Sequence, residues 1–340
     1  MQTEARVKNT PRSLDGIRVL DFTWVRAGPW GTRWLGALGA QIIKVEWPQN
    51  PDPLRNLGGS TTPPGVEINL NTSGQFNDMN ANKFSITVNT RTEKGLDLIK
   101  RMIAISDVVI ENYSSRVMED WGLGYEQLRQ IRPDIIYVSL AGLGHTGRHH
   151  FHTTMGPSAQ ALSGMTHISG LPGEAPAGWG WSYLDDTGGM YAAMSVLTAL
   201  HHRNQTGEGQ YVDLAQMIMG ITLNGPSLLD LSINGRGSRR EGYPPGNRAH
   251  WPGTPLLSNY RGRTVAPHNS YRTFPADYND WCVVACFSDQ QWRNLVEIMG
   301  SPEWAAAPKF ATGAGRLEHQ DELDERIEEW TITLGKQEVM

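Results

Sequence analysis

Short apolar runs alternate with amphipathic segments along the first half of the chain. The apolar runs predict buried strands at 17–22, 41–46, 84–88, 107–111 and 134–140. Helices are predicted between them, and Thr92 opens one whose apolar side chains recur at helical spacing. Such alternation is typical of a parallel sheet with helices on both faces. The pattern therefore predicts an α/β fold with a Rossmann-like large domain.

The strongest helical pattern follows a loop-rich stretch at 142–181, in which only 156–164 looks helical. This long helix is predicted to begin at Asp185 or Asp186 and to end near Arg203. Its apolar face is predicted to consist of Met190, Tyr191, Met194, Leu197 and Leu200.

A turn-rich stretch at 234–269 separates this helix from a predicted strand at 281–285 and a helix at 290–299. We therefore expect a large domain at 1–225, which would hold the site, and a smaller α/β domain at 226–330. Residues 331–340 begin as a helix without a stop signal. We expect them to start a segment that returns to the large domain, in a chain that continues past Met340.

Composition narrows the function classes. The 340 residues carry a formal net charge of -5 and contain no basic block, which argues against a nucleic-acid partner. Neither a secretory signal nor an apolar run of about 20 residues is visible, so we expect a cytoplasmic protein without a membrane partner. The two cysteines are expected to pack in the core, and the loop histidines (His149, His150, His152) to be solvated rather than metal ligands.

Two adjacent carboxylates, Asp185 and Asp186, stand where the long helix begins. A helix N-terminus stabilises a carboxylate, so one interpretation is a capping residue. The other is a reactive carboxylate that faces the Gly- and Trp-rich loop before it. A Gly-rich stretch at 246–253 is either a surface turn or a mobile cover for such a site.

Several longer motifs resemble the class III coenzyme A transferases, the family of formyl-CoA transferase and carnitine CoA-transferase. They are LDGIRVLDFTWVRAGPW, NANKFSITVNTRTEKG, SDVVIENY, WGLGYEQLRQIRPDIIYVSLAGLGHTG and the TGEGQYVDL stretch. Counting back four residues from Gly189, the resemblance makes Asp185 the nucleophile and leaves Asp186 as a cap. It implies an aspartyl anhydride and then an aspartyl-CoA thioester, with CoA entering as an acyl-CoA substrate and no metal.

The resemblance also implies a CoA site and an oxyanion site. Backbone N–H groups at Val25, Arg26 and Ala27 are expected to stabilise the oxyanion, although formyl-CoA transferase has glutamine where this chain has Arg26. The residues expected to contact CoA are Val25, Asn80, Asn82, Lys83, Asn112, Tyr113 and Arg116. Trp47 and Asp120 stand where formyl-CoA transferase has basic residues, so Lys83, Arg55, Arg116 or a partner chain is expected to supply the charge.

The acceptor is expected to be a hydrophobic or aromatic acid, because TMGPSAQALSG and GWGWSYLDDTGG look closest to transferases for benzylsuccinate or arylacetates. Four tryptophans, which ordinary packing would explain equally well, are candidates for its pocket: Trp30, Trp179, Trp181 and Trp251. Succinyl-CoA is a candidate donor.

Two alternatives to a catalytically active transferase remain open. The same fold hosts α-methylacyl-CoA racemases, whose catalytic histidine would align with Met155 and the aspartate after it with Gly156. The other alternative is a non-catalytic subunit of a heteromeric transferase. The family forms interlocked dimers, so the resemblance implies either a homodimer or a heteromer with a related subunit.

Overall fold

The computed structural model describes residues 11–58, 62–169, 175–180, 182–235, 259–260 and 263–340. Contacts divide the chain into two units: 1–169 with 177–225, and 170–176 with 226–340. None of the helices described is long and apolar enough to cross a membrane.

The first unit is built on a six-stranded parallel sheet with the order β3-β2-β1-β4-β5-β6. Its strands are β1 (Arg18–Asp21), β2 (Gln41–Glu46), β3 (Lys83–Thr87), β4 (Val108–Glu111), β5 (Ile136–Ala141) and β6 (Tyr211–Ala215). This is the doubly wound order of a Rossmann-like sheet, and the predicted fold class is confirmed. The sequence pattern predicted the first five strands and missed β6.

Helices cover both faces of the sheet. The helices of this unit are α1 (Ala27–Ala37), α2 (Gly74–Met79), α3 (Glu93–Ile103), α4 (Val117–Asp120), α5 (Tyr125–Ile131), α6 (Gly156–Leu162), α7 (Tyr183–Thr206) and α8 (Gln216–Leu223), with a 3-10 turn at Pro53–Leu57. One apolar core joins α1 and α7 to Val108 and Ile110, and the other joins α3 and α5 to Val109. Successive side chains of β4 therefore point to opposite faces of the sheet and pack into two separate cores.

The long helix α7 buries mainly small residues where it meets α1, although Leu184, Val196 and Leu200 are also buried. Gly188, Gly189, Ala192, Ala193 and Ala199 are buried, whereas Met190, Met194 and Leu197 are between 37% and 48% exposed. The predicted apolar face is therefore wrong for these three residues. The cause is the approach of α1: a Cβ on Gly189 would lie 2.5 Å from the Ala27 carbonyl oxygen, so only small side chains fit between the two helices.

The second unit is smaller and mixed. It contains two antiparallel strand pairs, β7 (Asn259–Tyr260) with β8 (Arg263–Thr264) and β9 (His268–Arg272) with β10 (Trp281–Ala285). Its helices are α10 (Asp289–Ile298), α11 (Gly313–Glu318), α12 (Gln320–Thr331) and α13 (Lys336–Val339), with 3-10 turns at Glu303–Ala306 and Pro308–Phe310; α9 (Gly225–Asn234) begins at the boundary. Residues 331–340 contact this unit, where Phe274 N donates to Leu334 O.

Candidate active site

The site lies beyond the carboxyl ends of β1 and β4, the two central strands where the order of the sheet reverses. Ligands of doubly wound sheets bind at such a switch point. Here the Asn112 side chain, just after β4, accepts from Trp24 N at 2.9 Å and donates to Trp24 O at 3.1 Å. This pair of hydrogen bonds ties together the loops that follow the two strands.

One cavity of about 360 Å³ opens beside these loops, and we call it the tryptophan cavity. Its lining includes Trp24, Trp47, Trp121, Tyr113, Asn50, Asn89 and Arg91. Tyr113 contacts the edges of two of these rings, with centroids 5.5 Å from Trp24 and 5.4 Å from Trp121. The cavity therefore offers flat aromatic surfaces together with one peripheral guanidinium group.

Two buried ion pairs lie next to this cavity and are called its floor; of their four members, Lys44 and Asp52 line the cavity itself. Lys83 Nζ lies 3.2 Å from Asp21 Oδ2, and Lys44 Nζ lies 3.4 Å from Asp52 Oδ2. Burial opposes ionisation of Asp21, but the two ammonium groups keep its pKa below the usual value. Burial also lowers the pKa of Lys83 to about 8. These charges neutralise one another inside the protein.

A second cavity of about 340 Å³ shares Trp24, Tyr113 and Ser114 with the first, and we call it the carboxylate cavity. Its lining includes Val25, Arg26, Ala27, Asn112, His150, His152, Met155, Gly156, Ser182, Asp185 and Gln216. The shared residues make the two cavities neighbours along one possible ligand path.

Asp185 sits in the first turn of α7, where its carboxylate faces the carboxylate cavity. The Gln216 side chain donates to Asp185 Oδ1 at 2.8 Å. On the other side, a Cβ on Gly156 would lie 2.5 Å from Asp185 Oδ2, so only glycine leaves room for this oxygen. Burial raises the pKa of Asp185 above its usual value.

Asp186 has a different environment. Its two oxygens accept from Arg26 Nε and Nη2, each at 2.9 Å. The helix begins earlier than predicted, at Tyr183, and Ser182 is the N-cap residue. The prediction that Asp186 caps the helix is therefore wrong, because its carboxylate is held by the Arg26 guanidinium instead.

The backbone N–H groups at 25–27 differ in what they can donate to. Val25 N donates to both oxygens of Asp52, at 3.0 and 3.1 Å, so its N–H already has acceptors. Val25 also has φ 59°, a left-handed conformation that is costly for a β-branched residue and is held by these bonds. Ala27 is the first residue of α1, and a first-turn N–H has no acceptor within its helix.

The residues predicted to contact CoA separate into two groups. Val25, Asn112 and Tyr113 line the carboxylate cavity. Lys83, only 2% exposed, donates instead to Pro29 O and Asn80 Oδ1, while Asn82 adopts a left-handed φ of 62° beside Gly36. Lys83, Asn80 and Asn82 are not among the residues that line either cavity, and their contact with CoA stays a prediction.

Arg55 and Arg116 also differ from the simplest expectation. Arg55 donates to both oxygens of Glu46, at 3.0 and 2.8 Å, and its guanidinium lies 3.6 Å from the Phe76 ring centroid. Arg116 lines a third cavity, of about 410 Å³, with Glu111, Tyr137, Ser139 and His145. Neither arginine is among the residues that line the tryptophan cavity.

The predicted aromatic pocket is only partly described. Trp30 packs with Leu54, Phe76 and Met79, and Trp179 contacts Tyr183 with ring centroids 5.2 Å apart. Neither lines the carboxylate cavity. Trp181, Trp251 and the stretch at 246–253 lie outside the described residues.

The three loop histidines differ in whether they reach the site. His150 and His152 line the carboxylate cavity, and His150 Nδ1 lies 2.6 Å from Ser115 Oγ. No group of three or more His, Cys, Asp or Glu side chains suited to a metal ion occurs in the part of the chain that the structure describes.

Sequence reasoning missed two candidate functional residues. Arg91 follows β3 and lines the tryptophan cavity, and Gln216 follows β6 and contacts Asp185. Both stand just beyond the carboxyl end of a parallel strand, where side chains meet at one edge of the sheet. That position was a signal in the sequence for Arg91, which follows a predicted strand, but not for Gln216, because β6 was not predicted.

Comparison with known proteins supplies independent evidence. Residues 14–340 match CoA-transferase family III. Succinyl-CoA–D-citramalate CoA-transferase of Chloroflexus aurantiacus is 34% identical, over 95% of this chain and 73% of the relative. The alpha subunit of succinyl-CoA–L-malate CoA-transferase of Chloroflexus aurantiacus is 29% identical, over 96% and 71%. A CAIB/BAIF family protein from Brucella suis has a similar solved structure, with TM-score 0.82 and 29% identity, covering 97% of this chain and 81% of that one.

Proposed function

The chain belongs to CoA-transferase family III, as its motifs predict, and from this premise we propose that Asp185 is the nucleophile that carries CoA between two carboxylic acids. The observation that carries the proposal is the Asp185 carboxylate itself. Asp185 lines a cavity, and burial raises its pKa. The neutral amide of Gln216 donates a hydrogen bond to it. A partly desolvated carboxylate of this kind is a better nucleophile than one neutralised by a cation.

The reaction proceeds in two symmetric halves. Asp185 attacks the donor thioester, a C–O bond forms, the C–S bond breaks, and CoA leaves as a thiolate. The thiolate then attacks the aspartyl carbon of the mixed anhydride, which releases the donor acid and leaves an aspartyl-CoA thioester. The acceptor carboxylate reverses these steps and departs as its CoA ester. Because every intermediate hydrolyses readily, the cavity must exclude water.

The first oxyanion forms on the donor carbonyl, and Ala27 is the backbone donor best placed for it. Its N–H belongs to the first turn of α1 and lines the same cavity as Asp185. Helix N-termini stabilise developing negative charge through their unpaired N–H groups and the helix dipole. Val25 N is less suitable because it already donates to Asp52.

We assign the nucleotide end of CoA to the tryptophan cavity. Trp47, Trp121 and Tyr113 provide surfaces on which an adenine ring can stack. Arg91 lines this cavity and would take the place of the missing basic residues at positions 47 and 120. The pantetheine arm would then pass Trp24, Tyr113 and Ser114, which both cavities share.

For the substrates, we propose succinyl-CoA as donor and a hydrophobic or aromatic acid as acceptor. The relatives named above use succinyl-CoA with citramalate or malate, which supports the donor and offers a competing class of acceptor. A panel of benzylsuccinate, an arylacetate, citramalate and malate, each supplied with succinyl-CoA, separates the two classes by the acyl-CoA that appears.

The racemase alternative has little support around Asp185. The residue that would align with the racemase aspartate is Gly156, and any side chain there would meet Asp185 Oδ2. Met155, which would align with the racemase histidine, is 71% exposed. Exchange of the α-proton of a 2-methylacyl-CoA without CoA transfer would favour the racemase instead.

We propose that the active species is a homodimer or a heteromer with a related subunit. One relative is named as an alpha subunit, which supports the second possibility. An intact carboxylate at 185 argues against a purely structural subunit. Light scattering and activity of the chain purified alone, compared with the chain co-expressed with a related subunit, distinguish these possibilities.

The decisive experiment replaces each of the two adjacent aspartates in turn. Asp185→Asn keeps the shape of the side chain but removes the nucleophile, so CoA transfer should fall about 10³-fold or more. Asp186→Asn is the matched control and should cost less than about tenfold, since its carboxylate pairs with Arg26. Mass spectrometry after incubation with succinyl-CoA should find the CoA adduct on the peptide containing Asp185. Full activity of Asp185→Asn would exclude the mechanism.

A further inference from the structure

Gln216 is a buried amide that donates to two consecutive residues of α7. It is the first residue of α8, directly after β6, and is 5% exposed. Its Nε2 donates to Asp185 Oδ1 at 2.8 Å and to Leu184 O at 3.2 Å. Because the two acceptors are consecutive residues of α7 and neither can donate, they fix which end of the amide faces Asp185.

The surroundings of Gln216 keep this contact in place. Gly188 of α7 lies against the side chain, and a Cβ there would come within 3.3 Å of the Gln216 Cγ. A larger residue at Gly188 would therefore crowd the Gln216 side chain. The Gln216 side chain also lines the carboxylate cavity, so it reaches the reacting group from the protein side of that cavity.

The two oxygens of Asp185 thus have different roles. Oδ1 is held by Gln216, whereas Oδ2 lies over Gly156, which presents no side chain. The Ser182 side chain also hydrogen bonds to the Asp185 carboxylate. Oδ2, the oxygen that Gln216 does not hold, is the one assigned to attack a thioester. After attack, Oδ2 becomes the bridging oxygen of the anhydride, and Oδ1 becomes the carbonyl oxygen of the enzyme's own acyl group.

We propose that Gln216 is a catalytic residue whose amide N–H stabilises the negative charge that develops on Asp185 Oδ1 whenever the aspartyl carbon is attacked. This inference rests on the proposed role of Asp185. When CoA thiolate attacks that carbon, a C–S bond forms and the carbonyl electron pair moves to Oδ1. The pair then returns, the bond from the aspartyl carbon to Oδ2 breaks, and the donor carboxylate leaves. The acceptor carboxylate attacks the same carbon later, so Oδ1 carries the charge a second time.

The geometry suits this role. An effective oxyanion donor lies about 2.7–3.1 Å from the oxygen that becomes charged, and the Gln216 contact falls within that range. The contact exists before the reaction and needs no rearrangement when charge develops. The substrate oxyanion and the aspartyl oxyanion would therefore have separate donors, with Ala27 serving the first and Gln216 the second.

The test compares two buried glutamines that receive the same change. Gln216→Met removes both N–H donors and keeps the length of the side chain. Gln160→Met is the matched control, because Gln160 is 2% exposed and donates to Thr166 Oγ1 rather than to Asp185. Single-turnover mixing with succinyl-CoA, acid quench and mass spectrometry measure how fast the CoA adduct forms on Asp185.

We expect Gln216→Met to form the aspartyl-CoA thioester about 10²-fold more slowly. Its KM for succinyl-CoA should stay within about threefold of the unmodified enzyme, since the Gln216 amide donates to Asp185 rather than to the bound substrate. Gln160→Met should stay within about threefold in both quantities. Formation of the thioester by Gln216→Met at the original rate would overturn the assignment.

Two further outcomes are distinguishable. If the unmodified enzyme forms no CoA adduct on Asp185, the proposed function fails and the role of Gln216 fails with it. If Gln216→Met does not fold, the infrared carbonyl stretch of the trapped thioester in the unmodified enzyme decides. A hydrogen bond to Oδ1 lowers that frequency relative to a thioester in an aprotic solvent, and an unshifted band would refute the proposal.

Discussion

The floor of the tryptophan cavity and the wall of the carboxylate cavity both contain buried carboxylates, but the protein treats them in opposite ways. Asp21 and Asp52 each lie beside a lysine ammonium group, and Glu46 pairs with Arg55. Asp185 accepts from the neutral side chains of Gln216 and Ser182, while the nearby Arg26 forms its ion pair with Asp186. Neutralised acids suit a scaffold, whereas an acid that must form a covalent bond keeps its charge accessible.

The largest expected effect comes from breaking a pair in the floor. Lys83→Met leaves Asp21, which is fully buried, without its nearest cation. Removal of one partner of a buried pair costs about 3–5 kcal/mol, so the free energy of unfolding should fall by that amount. Denaturant unfolding at neutral pH measures it.

Lys100→Met on the exposed surface of α3 is the control for this change and should cost less than about 1 kcal/mol. An equally small loss for Lys83→Met would contradict the distinction between the two cavities, because it would mean that the floor tolerates a buried carboxylate that has lost its nearest cation.

Glu111 is a third kind of buried carboxylate, and its effect on stability depends on pH. Glu111, 1% exposed, accepts from Tyr113 N at 2.7 Å, and burial raises its pKa from 4.5 to about 7. The unfolded chain loses this proton at lower pH than the folded chain does. The side chain therefore makes folding progressively less favourable as the pH rises from about 4.5 to 7.

Glu111→Gln keeps an acceptor for Tyr113 N but cannot ionise. As the pH rises from about 4.5 to 7, the free energy of unfolding of the variant should increase by about 3 kcal/mol relative to that of the unmodified protein. Unfolding curves of both proteins across this range measure the difference, with Glu126→Gln, an exposed residue, as control. A stability difference that does not change with pH would show that Glu111 titrates normally.

The smallest of these effects concerns space rather than charge. Gly156→Ala would place a methyl group 2.5 Å from Asp185 Oδ2, so the carboxylate must shift. Misplacement of a reacting group on this scale costs about 10²-fold in kcat. Gly225→Ala is the control, since a Cβ at Gly225 meets no other atom within 4 Å. Transfer at the normal rate by Gly156→Ala would mean that Oδ2 is not the attacking oxygen.

Patterning predicted the centre of the sheet well because β1, β4 and β5 are buried on both faces and read as continuous apolar runs. The observed bounds of β2 and β10 equal the predicted ones. The face of α7 could not be predicted in this way. The apolar pattern favours large residues such as Met194 as the buried face, whereas the short distance between α1 and α7 admits only small residues there. Met194 is therefore 48% exposed.

The candidate site was predictable only in part. Motif resemblance singled out Asp185, Asn112 and Tyr113, which all line the carboxylate cavity. The same resemblance gave no sign that Lys83 would turn inward to Asp21. Nor could it indicate Gln216, because an amide becomes informative only when tertiary structure shows which group it faces. The roles of these residues remain predictions.

The contact between Gly31 and Gly189 has a consequence for how the enzyme can diversify. A Cβ on Gly31 would lie 2.7 Å from the Gly189 carbonyl oxygen, so α1 and α7 touch backbone to backbone. We therefore expect α1 and α7 to move together in thermal fluctuations, so that the distance between Ala27 and Asp185 stays unchanged. New acids would be accommodated by mutations in the surrounding loops, while the distance between the proposed nucleophile and the N-terminus of α1 stays unchanged.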